Sequence, residues 1–472
     1  MKKIKADLLV IGAGSGGLVV ASGAAQLGAN VVLVEGDRMG GDCLNYGCVP
    51  SKALLAAANT AKQVNQSDKF GIKAEIVNLD YAEVMAYVEK KIAEIAPHDS
   101  QERFEEMGVT VLRDYAKFKD PKTVVAGNNE ITARRIVLAT GSRAKIPNIN
   151  GLDKVNYLTN ESLFDLRKSP RHLAIIGGGP IGVEMAQAHA RLGVRTTIIE
   201  INRIMQGYER RFVEPVYKSL IDDGVNILED TVVDRVENDR SSIKLHLSSA
   251  GSLVVSDLLI AAGRAPNIEK LTLTEAGIKY NDRGVIVDRN LKTTNRSVYA
   301  IGDLIDGPSF THTASYHAGI VLKKILFGLS STMQTIHIPQ VTYTDPEIAS
   351  VGLNFNDAVK RFGNKVERSC VNLESNDRAI TDNKTEGFVE VVLLGRKVIG
   401  CTIVCKNAGE LISFWAFIIS RNLKISNVNS MVPPYPTLGE VNKRVVSEYY
   451  APKLFGNSFL KFYVKVFQKI FK

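Results

Sequence analysis

"ADLLVIGAGSGGLVVASGAAQLGANVVLVEGD", Ala6 to Asp37, decides the fold. It reads as a strand, a tight glycine turn, a helix and a second strand. Gly12, Gly14 and Gly17 fall in a G-x-G-x-x-G pattern. The first two let the backbone turn and come close to a pyrophosphate, and the third lets the helix pack tightly on the strand. Free N–H groups and the macrodipole at the helix start favour the phosphates. Glu35 closes the second strand, where a carboxylate accepts hydrogen bonds from a ribose.

The layout returns at His172 to Asn202, "HLAIIGGGPIGVEMAQAHARLGVRTTIIEIN", with Gly177, Gly179, Gly182 and Glu200 in the matching places. One glycine turn of this kind has other uses; two complete copies, each with its acidic residue, imply two bound dinucleotides. Glu200 suits the free 2′-hydroxyl of NADH and repels the 2′-phosphate of NADPH, while Arg203 beside it keeps NADPH as the alternative.

The bulk numbers fit several domains of this kind. At 472 residues the chain is too long for one core, and roughly three domains are expected. Apolar content of 45% with 23% charged residues belongs to a folded, soluble protein. Its longest apolar stretches, such as "LISFWAFII" at 411–419, fall short of the roughly 20 residues that cross a bilayer. The opening "MKKIKADLLVIGAGSG" resembles a secretion signal only until Asp7 interrupts it, and no small-residue cleavage site follows. The protein is expected in the cytoplasm.

Between the two turns lies "GGDCLNYGCVPSKALL", Gly40 to Leu55, with two of the five cysteines, Cys43 and Cys48. A structural staple, half of a metal site and a reactive disulfide all compete. The cytoplasm disfavours the first. No Cys/His cluster supports the second, so no metal site is expected. Cys401 and Cys405 in the strand-like "VIGCTIVCK", and Cys370, read as packing residues. Residues five apart on a regular helix are about 7.5 Å apart along its axis, too far for a disulfide, so "LNYG" must bend, which Asn45 and Gly47 permit. Cys48 then falls near the start of a helix containing Pro50, where the dipole stabilises a thiolate.

With "IVLATGSRAKIP", "GGGPIGVEMA", "LLIAAGRAPNI", "VYAIGDLIDGP" and "VTYTDPEIASVG", the segment "GGDCLNYGCVPSKAL" resembles the FAD-dependent pyridine nucleotide-disulfide oxidoreductases, the family of dihydrolipoamide dehydrogenase, glutathione reductase and mercuric reductase. The resemblance implies an α/β fold of two Rossmann-like three-layer ββα domains and a C-terminal α+β dimerisation domain. Residues 1–150 would begin the FAD domain, 151–280 form the NAD(P) domain, 281–336 return to the FAD domain, and 337–452 join two copies in a homodimer. Cys48 would lie by the flavin, in a charge-transfer complex when reduced, and Cys43 would meet the substrate. Lys52 would sit by the flavin paired with Glu184, and Asp303 would hold the FAD ribityl chain. Gly141, Gly302, Gly263 and Arg264, within the same motifs, are expected at the cofactors. Electrons would run from NADH to FAD, to the Cys43–Cys48 disulfide, and on to a small-molecule acceptor.

One motif departs from the pattern. Disulfide-reducing members carry His-Pro-Thr with a glutamate five residues after the histidine, which reaches the active site of the other subunit. Here "VPPYPTLGEVNKR" keeps Pro436, Thr437 and Glu440 but has Tyr435 in the histidine's place, and the last histidine is His337. A phenol that titrates near 10 does not exchange protons near pH 7. Mercuric reductases resemble this chain in having a tyrosine there, but also carry a C-terminal cysteine pair that "FQKIFK" lacks. The expected acceptor is Hg(II)-like or quinone-like. The alternatives are a dihydrolipoyl dehydrogenase acting on lipoamide, and a redox sensor or membrane-recruited flavoprotein with little turnover.

The tail "APKLFGNSFLKFYVKVFQKIFK", 451–472, has Lys461, Lys465 and Lys469 on one helical face and Phe455, Phe459, Phe462, Val466 and Ile470 on another. With Lys453 and Lys472 it supplies five of the nine net positive charges. Residues 453–472 therefore read as an interfacial helix on an anionic membrane, placing the protein peripherally on the inner face, or as a segment packed on the dimer. Without basic patches interleaved with aromatics elsewhere, nucleic acid is not an expected partner.

Overall fold

Leu8–Ile11 and Val31–Val34 are unbroken apolar runs, which only strands covered on both faces bury, and all eight residues are buried. They end β1 (Lys2–Ile11) and fill β2 (Val31–Glu35), joined by α1 (Ser15–Gln26). The computed structural model describes residues 1–249 and 251–471, which cluster into two compact units, Met1–Met205 with Asp223–Met333, and Gln206–Asp222 with Gln334–Lys472.

In the first unit, α2 (Gly41–Asn45) and α3 (Cys48–Asn65) follow β2. Strands β3 (Thr110–Arg113) and β4 (Asn129–Leu138) complete a parallel core in the order β3-β2-β1-β4. The far edge of β4 is shared. Its first half pairs with an antiparallel hairpin, Ala116–Asp120 and Thr123–Ala126, and its last three residues pair in parallel with a strand from late in the chain.

The second glycine turn builds a second sheet from β5 (His172–Ile176), α4 (Pro180–Arg191) and β6 (Arg195–Ile199). The next helix, α5 (Arg210–Asp222), belongs to the other compact unit although it lies within the 151–280 segment. Strands β7 (Asn226–Leu228) and β8 (Asp257–Ile260) finish the order β7-β6-β5-β8, all parallel, and an antiparallel ladder over 233–255 follows β7. The chain then returns to the first sheet through β9 (Val298–Ala300), and α6 (Thr311–Phe327) packs on α1.

The second unit is an antiparallel sheet of β10 (Gln340–Thr342), β11 (Glu347–Gly352), β12 (Val366–Asn372), β13 (Phe388–Leu394) and β14 (Lys397–Cys405), ordered β10-β11-β14-β13-β12. Helices α7 (Ala408–Ser420) and α8 (Glu440–Phe455) cover it. Their contact is pinned by fully buried Trp415, whose indole N–H donates to Asn442 Oδ1 at 2.8 Å. Cys401 and Cys405 are buried in β14 as expected, whereas Cys370 is exposed. The alternation of β12 turns Ser369 and Val371 inward and Cys370 outward, so register overrides the general preference of cysteine for the interior. The tail also differs from expectation. Its helix, α9 (Ser458–Ile470), starts after a break at Gly456–Asn457, so Phe455 belongs to α8 and not to the tail's apolar face.

Candidate active site

Both glycine turns are packed so tightly against backbone that only glycine fits at their first and third positions. Gly12 and Gly177 have φ of +105° and +115°, and a Cβ on either would lie 2.4 Å from a carbonyl oxygen, of Ala139 and Ala261. A Cβ on Gly17 or Gly182 would lie 1.9 Å from the carbonyl oxygen of Gly12 or Gly177, so these positions fix the packing of α1 on β1 and of α4 on β5. Gly14 and Gly179 cap the two helices, with nothing closer than 4.0 Å to the missing Cβ. That space, at a helix N-terminus, is where a pyrophosphate fits. Glu35 accepts from Ala13 N at 2.6 Å and Asp37 N at 2.7 Å, and Glu200 accepts from Gly178 N at 2.6 Å and Asn202 N at 3.0 Å.

The cysteine segment docks on the first turn. Gly40 bridges to Gly14, and a Cβ on Gly41 would lie 2.8 Å from the Gly14 Cα. Helix α2 ends at Asn45, whose side-chain amide donates to the carbonyls of Met39 and Gly41, and Tyr46–Gly47 make the expected bend. Cys48 is the first residue of α3, with its dipole behind the sulfur. Cys43 and Cys48 are free thiols close enough to shift each other's ionisation. Thr311, at the start of α6, completes the set with its Oγ1 at 3.4 Å from Cys48 Sγ.

This grouping splits the two thiols. The hydrogen bond from Cys43 holds Cys48 down at about 6, aided by the Thr311 hydroxyl and the Lys52 charge against the opposing effect of burial. Cys43 is pushed far above the ordinary thiol range because its proton is held against the Cys48 sulfur. Near pH 7 the reduced pair therefore carries one negative charge, on Cys48. Cys43 lines a cavity of about 370 Å³ with Ser15, Val19, Asp99, Arg103 and Thr311, while Cys48 is the more exposed of the two thiols.

The expected Lys52–Glu184 pair is present at 2.8 Å, with Glu184 almost fully buried on α4. A second tie joins the same helices. The buried Asp223 carboxylate receives Lys62 Nζ of α3 at 2.5 Å, and Arg191 Nε and Gln187 Nε2 of α4 at 2.7 and 3.0 Å.

Two profiles match this chain: "Pyridine nucleotide-disulphide oxidoreductase" over residues 6–318, and the dimerisation domain of the same group over 338–446. The chain belongs to the pyridine nucleotide-disulphide oxidoreductase family. It is 33% identical over 447 residues to mercuric reductase of Bacillus cereus, covering 93% of this chain and 71% of the relative. It is 33% identical over 450 residues to dihydrolipoyl dehydrogenase of Geobacillus stearothermophilus, covering 93% and 95%. Among solved structures, the Cu(II) complex of the HOCl-induced flavoprotein disulfide reductase RclA from Escherichia coli aligns with a TM-score of 0.85 and 25% identity, over 94% of this chain and 99% of that one. This oxidoreductase is therefore of a family that is FAD-dependent and uses NAD(P)H, and it carries the family's dimerisation domain.

The residues of the first unit fit a flavin nucleotide. Burial holds the Asp303 carboxyl above its ordinary range, while it accepts from Ser142 Oγ at 2.9 Å. Arg264 donates to Ser142 Oγ and to the Ser142 carbonyl, both at 2.7 Å, and pairs with Asp42 at 3.2 Å. Gly302 N donates to His317 Nδ1, and the buried His317 Nε2 and Thr313 Oγ1 of α6 have no protein partner. These two polar atoms, close in sequence to the Thr311 hydroxyl, are the donor set that a polar cofactor satisfies. Gly141 and Gly263 have φ of +66° and +109° and face open space. Thr311, Ser142 and Asp42 were not singled out by the sequence. Ser142 adjoins Gly141 in a motif already recognised, whereas Thr311 lies 263 residues from Cys48 and carries no local signal.

In the second unit, Tyr435 is 71% exposed and its hydroxyl donates to Asp377 Oδ2 at 2.9 Å. That carboxylate pushes the phenol's pKa up. Glu440 opens α8 and accepts from Thr437 N at 3.4 Å.

Proposed function

We propose that this enzyme takes electrons from NADH, through FAD, to the Cys43–Cys48 pair and on to a thiophilic metal ion of the Hg(II) or Cu(II) kind. The observation that carries the reading is Tyr435 with its hydroxyl bonded to Asp377. Reducing an organic disulfide releases a thiolate that must take up a proton at the site, and a phenol moved further from neutrality does not supply one. Reducing a metal ion requires no such proton. A relative named mercuric reductase and a similar structure in complex with Cu(II) link reducible metal ions to this architecture, and thiolates are the ligands that Hg(II) and the Cu(I) product prefer. A quinone, whose oxygens take protons from water, is the second non-disulfide acceptor in this reading.

FAD would be held by the first glycine turn, Glu35, Asp303 and the α6 N-terminus, and supplies the two-electron relay between nicotinamide and cysteines. Gly177, Gly179, Gly182 and Glu200 would hold the nicotinamide nucleotide, with the Glu200 carboxylate favouring NADH. The Cys48 thiolate, stabilised by Cys43, Thr311 and Lys52, would lie on the flavin side of the pair, and Cys43 would meet the ion. As the Cys43–Cys48 bond forms, Cys43 releases its proton and two electrons pass to one two-electron ion or to two one-electron ions. Glu184 and the α3 dipole keep Lys52 and Cys48 in place. The catalytic pair faces its small-molecule substrate from the Cys43 side, and two copies of the chain associate through 338–446 as a homodimer.

A lipoamide-linked role is the second reading, favoured by 95% coverage of a dihydrolipoyl dehydrogenase. NADH oxidation measured side by side with Hg(II) in excess thiol, a soluble quinone and lipoamide separates them. Turnover with Hg(II) alone supports the proposal. Rapid turnover of lipoamide overturns it and makes Tyr435 a tolerated change in a disulfide reductase.

A further inference from the structure

The last acidic residue of the chain is Glu448; the 24 residues after it hold five lysines and no aspartate, glutamate or arginine. Lys453 is used by the fold, paired with Glu367 at 2.7 Å and lying over the Tyr449 ring. Among the described residues, no ion pair reaches Lys461, Lys465 or Lys469.

Those three lysines fall with Gln468 and Ser458 on about one third of the α9 circumference, and the apolar side chains cover roughly 200° of the remainder. Phe459, Phe462, Tyr463, Phe467 and Ile470 lie on that broad face, and every residue from Pro452 to Phe471 is exposed. Phe467 packs against both Tyr463 and Phe471 along it, so part of the face is an aromatic ladder. At about 1.5 Å per residue, the 13-residue helix is some 20 Å long, too short to cross a hydrocarbon core of about 30 Å.

We propose that α9 lies in the plane of an anionic lipid bilayer, with Phe459, Phe462 and Phe467 among the acyl chains and Lys461, Lys465 and Lys469 at the headgroup phosphates. Two observations favour lipid over a second copy of the helix. A helix pair buries a stripe of about 100°, half the width of this face. Two tails side by side also bring only like charges together, whereas an anionic surface complements every lysine. The anchor is independent of the identity of the electron acceptor.

The test uses the full-length, flavin-loaded protein with vesicles of phosphatidylcholine, pure or with about 30% phosphatidylglycerol. Sedimentation should show binding to the mixed vesicles at least about tenfold tighter than to the pure ones, weakening as salt rises. A variant combining Lys461→Glu, Lys465→Glu and Lys469→Glu should lose about a hundredfold in affinity while keeping its bound flavin as evidence of folding. The Phe462→Trp reporter, read against buried Trp415, should be quenched by brominated acyl chains. Equal binding to both vesicles, an unquenched reporter, or charge reversal without effect would overturn the proposal. Self-association abolished by Phe459→Ser, without vesicle binding, would also overturn it and assign the face to a second copy.

Discussion

In the first glycine turn a Cβ on Gly12 would lie 2.4 Å from the Ala139 carbonyl oxygen, and in the second a Cβ on Gly177 would lie 2.4 Å from that of Ala261. The correspondence continues through Gly17 and Gly182, and through the two carboxylates that each accept a pair of backbone N–H groups. The difference lies opposite the turn. Gly14 faces the Gly40–Gly41 backbone that leads to the cysteines, while Gly179 has no neighbour within 4 Å of its missing Cβ. In the proposed reading, one local design would serve two purposes: a nucleotide held beside the thiols at the first turn, and an exchanging one at the second.

Four experiments test that contrast. The largest effect is expected from valine at the helix caps, where neither substitution meets a forbidden backbone angle. Gly14→Val should purify colourless and inactive. Gly179→Val should stay yellow and be bleached by dithionite, yet lose at least about a hundredfold in kcat/KM for NADH. Matching losses in both variants would mean that the turns do not divide the labour. Cys48→Ser comes next: bound flavin should remain, while acceptor reduction falls about a thousandfold. If turnover survives, Cys48 has no place in electron transfer.

Glu200→Gln should reduce the preference for NADH over NADPH by about tenfold, read as the ratio of kcat/KM values. An unchanged ratio would move nucleotide selection elsewhere. The smallest effect concerns the thiolate. Alkylation of the reduced enzyme by iodoacetamide should rise through a midpoint near 6, because Cys48 is depressed and its thiolate is lost only below that pH. Lys52→Met and Thr311→Val each remove a stabilising partner, so both should raise the midpoint toward the ordinary thiol range. A fixed midpoint would leave the Cys43 hydrogen bond as the main cause of the depression.

The features legible in the sequence are those whose cause is local. Glycine spacing dictates both turns, and the bend at Tyr46–Gly47 follows from the distance between two cysteines on one helix. The Lys52–Glu184 pair came from the family resemblance and is found at 2.8 Å. Thr311 was not legible, because its approach to Cys48 depends on the late return of the chain to the first sheet. Cys370 was misread for a different reason: composition favours an interior cysteine, but the register of β12 sets which face it occupies. The boundary between α8 and α9 depended on Gly456 and on Asn457, whose side chain accepts from Leu460 N and so starts a new helix where periodicity alone suggested a continuous one.

Asp223 bears on how the site works during turnover. Its buried carboxylate takes three donors from two helices, and removing it would leave Arg191 buried without that counter-charge, at a cost of about 3–5 kcal/mol. Helix α3, which begins at Cys48, and helix α4, which begins behind the second glycine turn, are thereby welded into one strut. Ties of this kind oppose a swing of the sulfur at one end when a nucleotide arrives at the other.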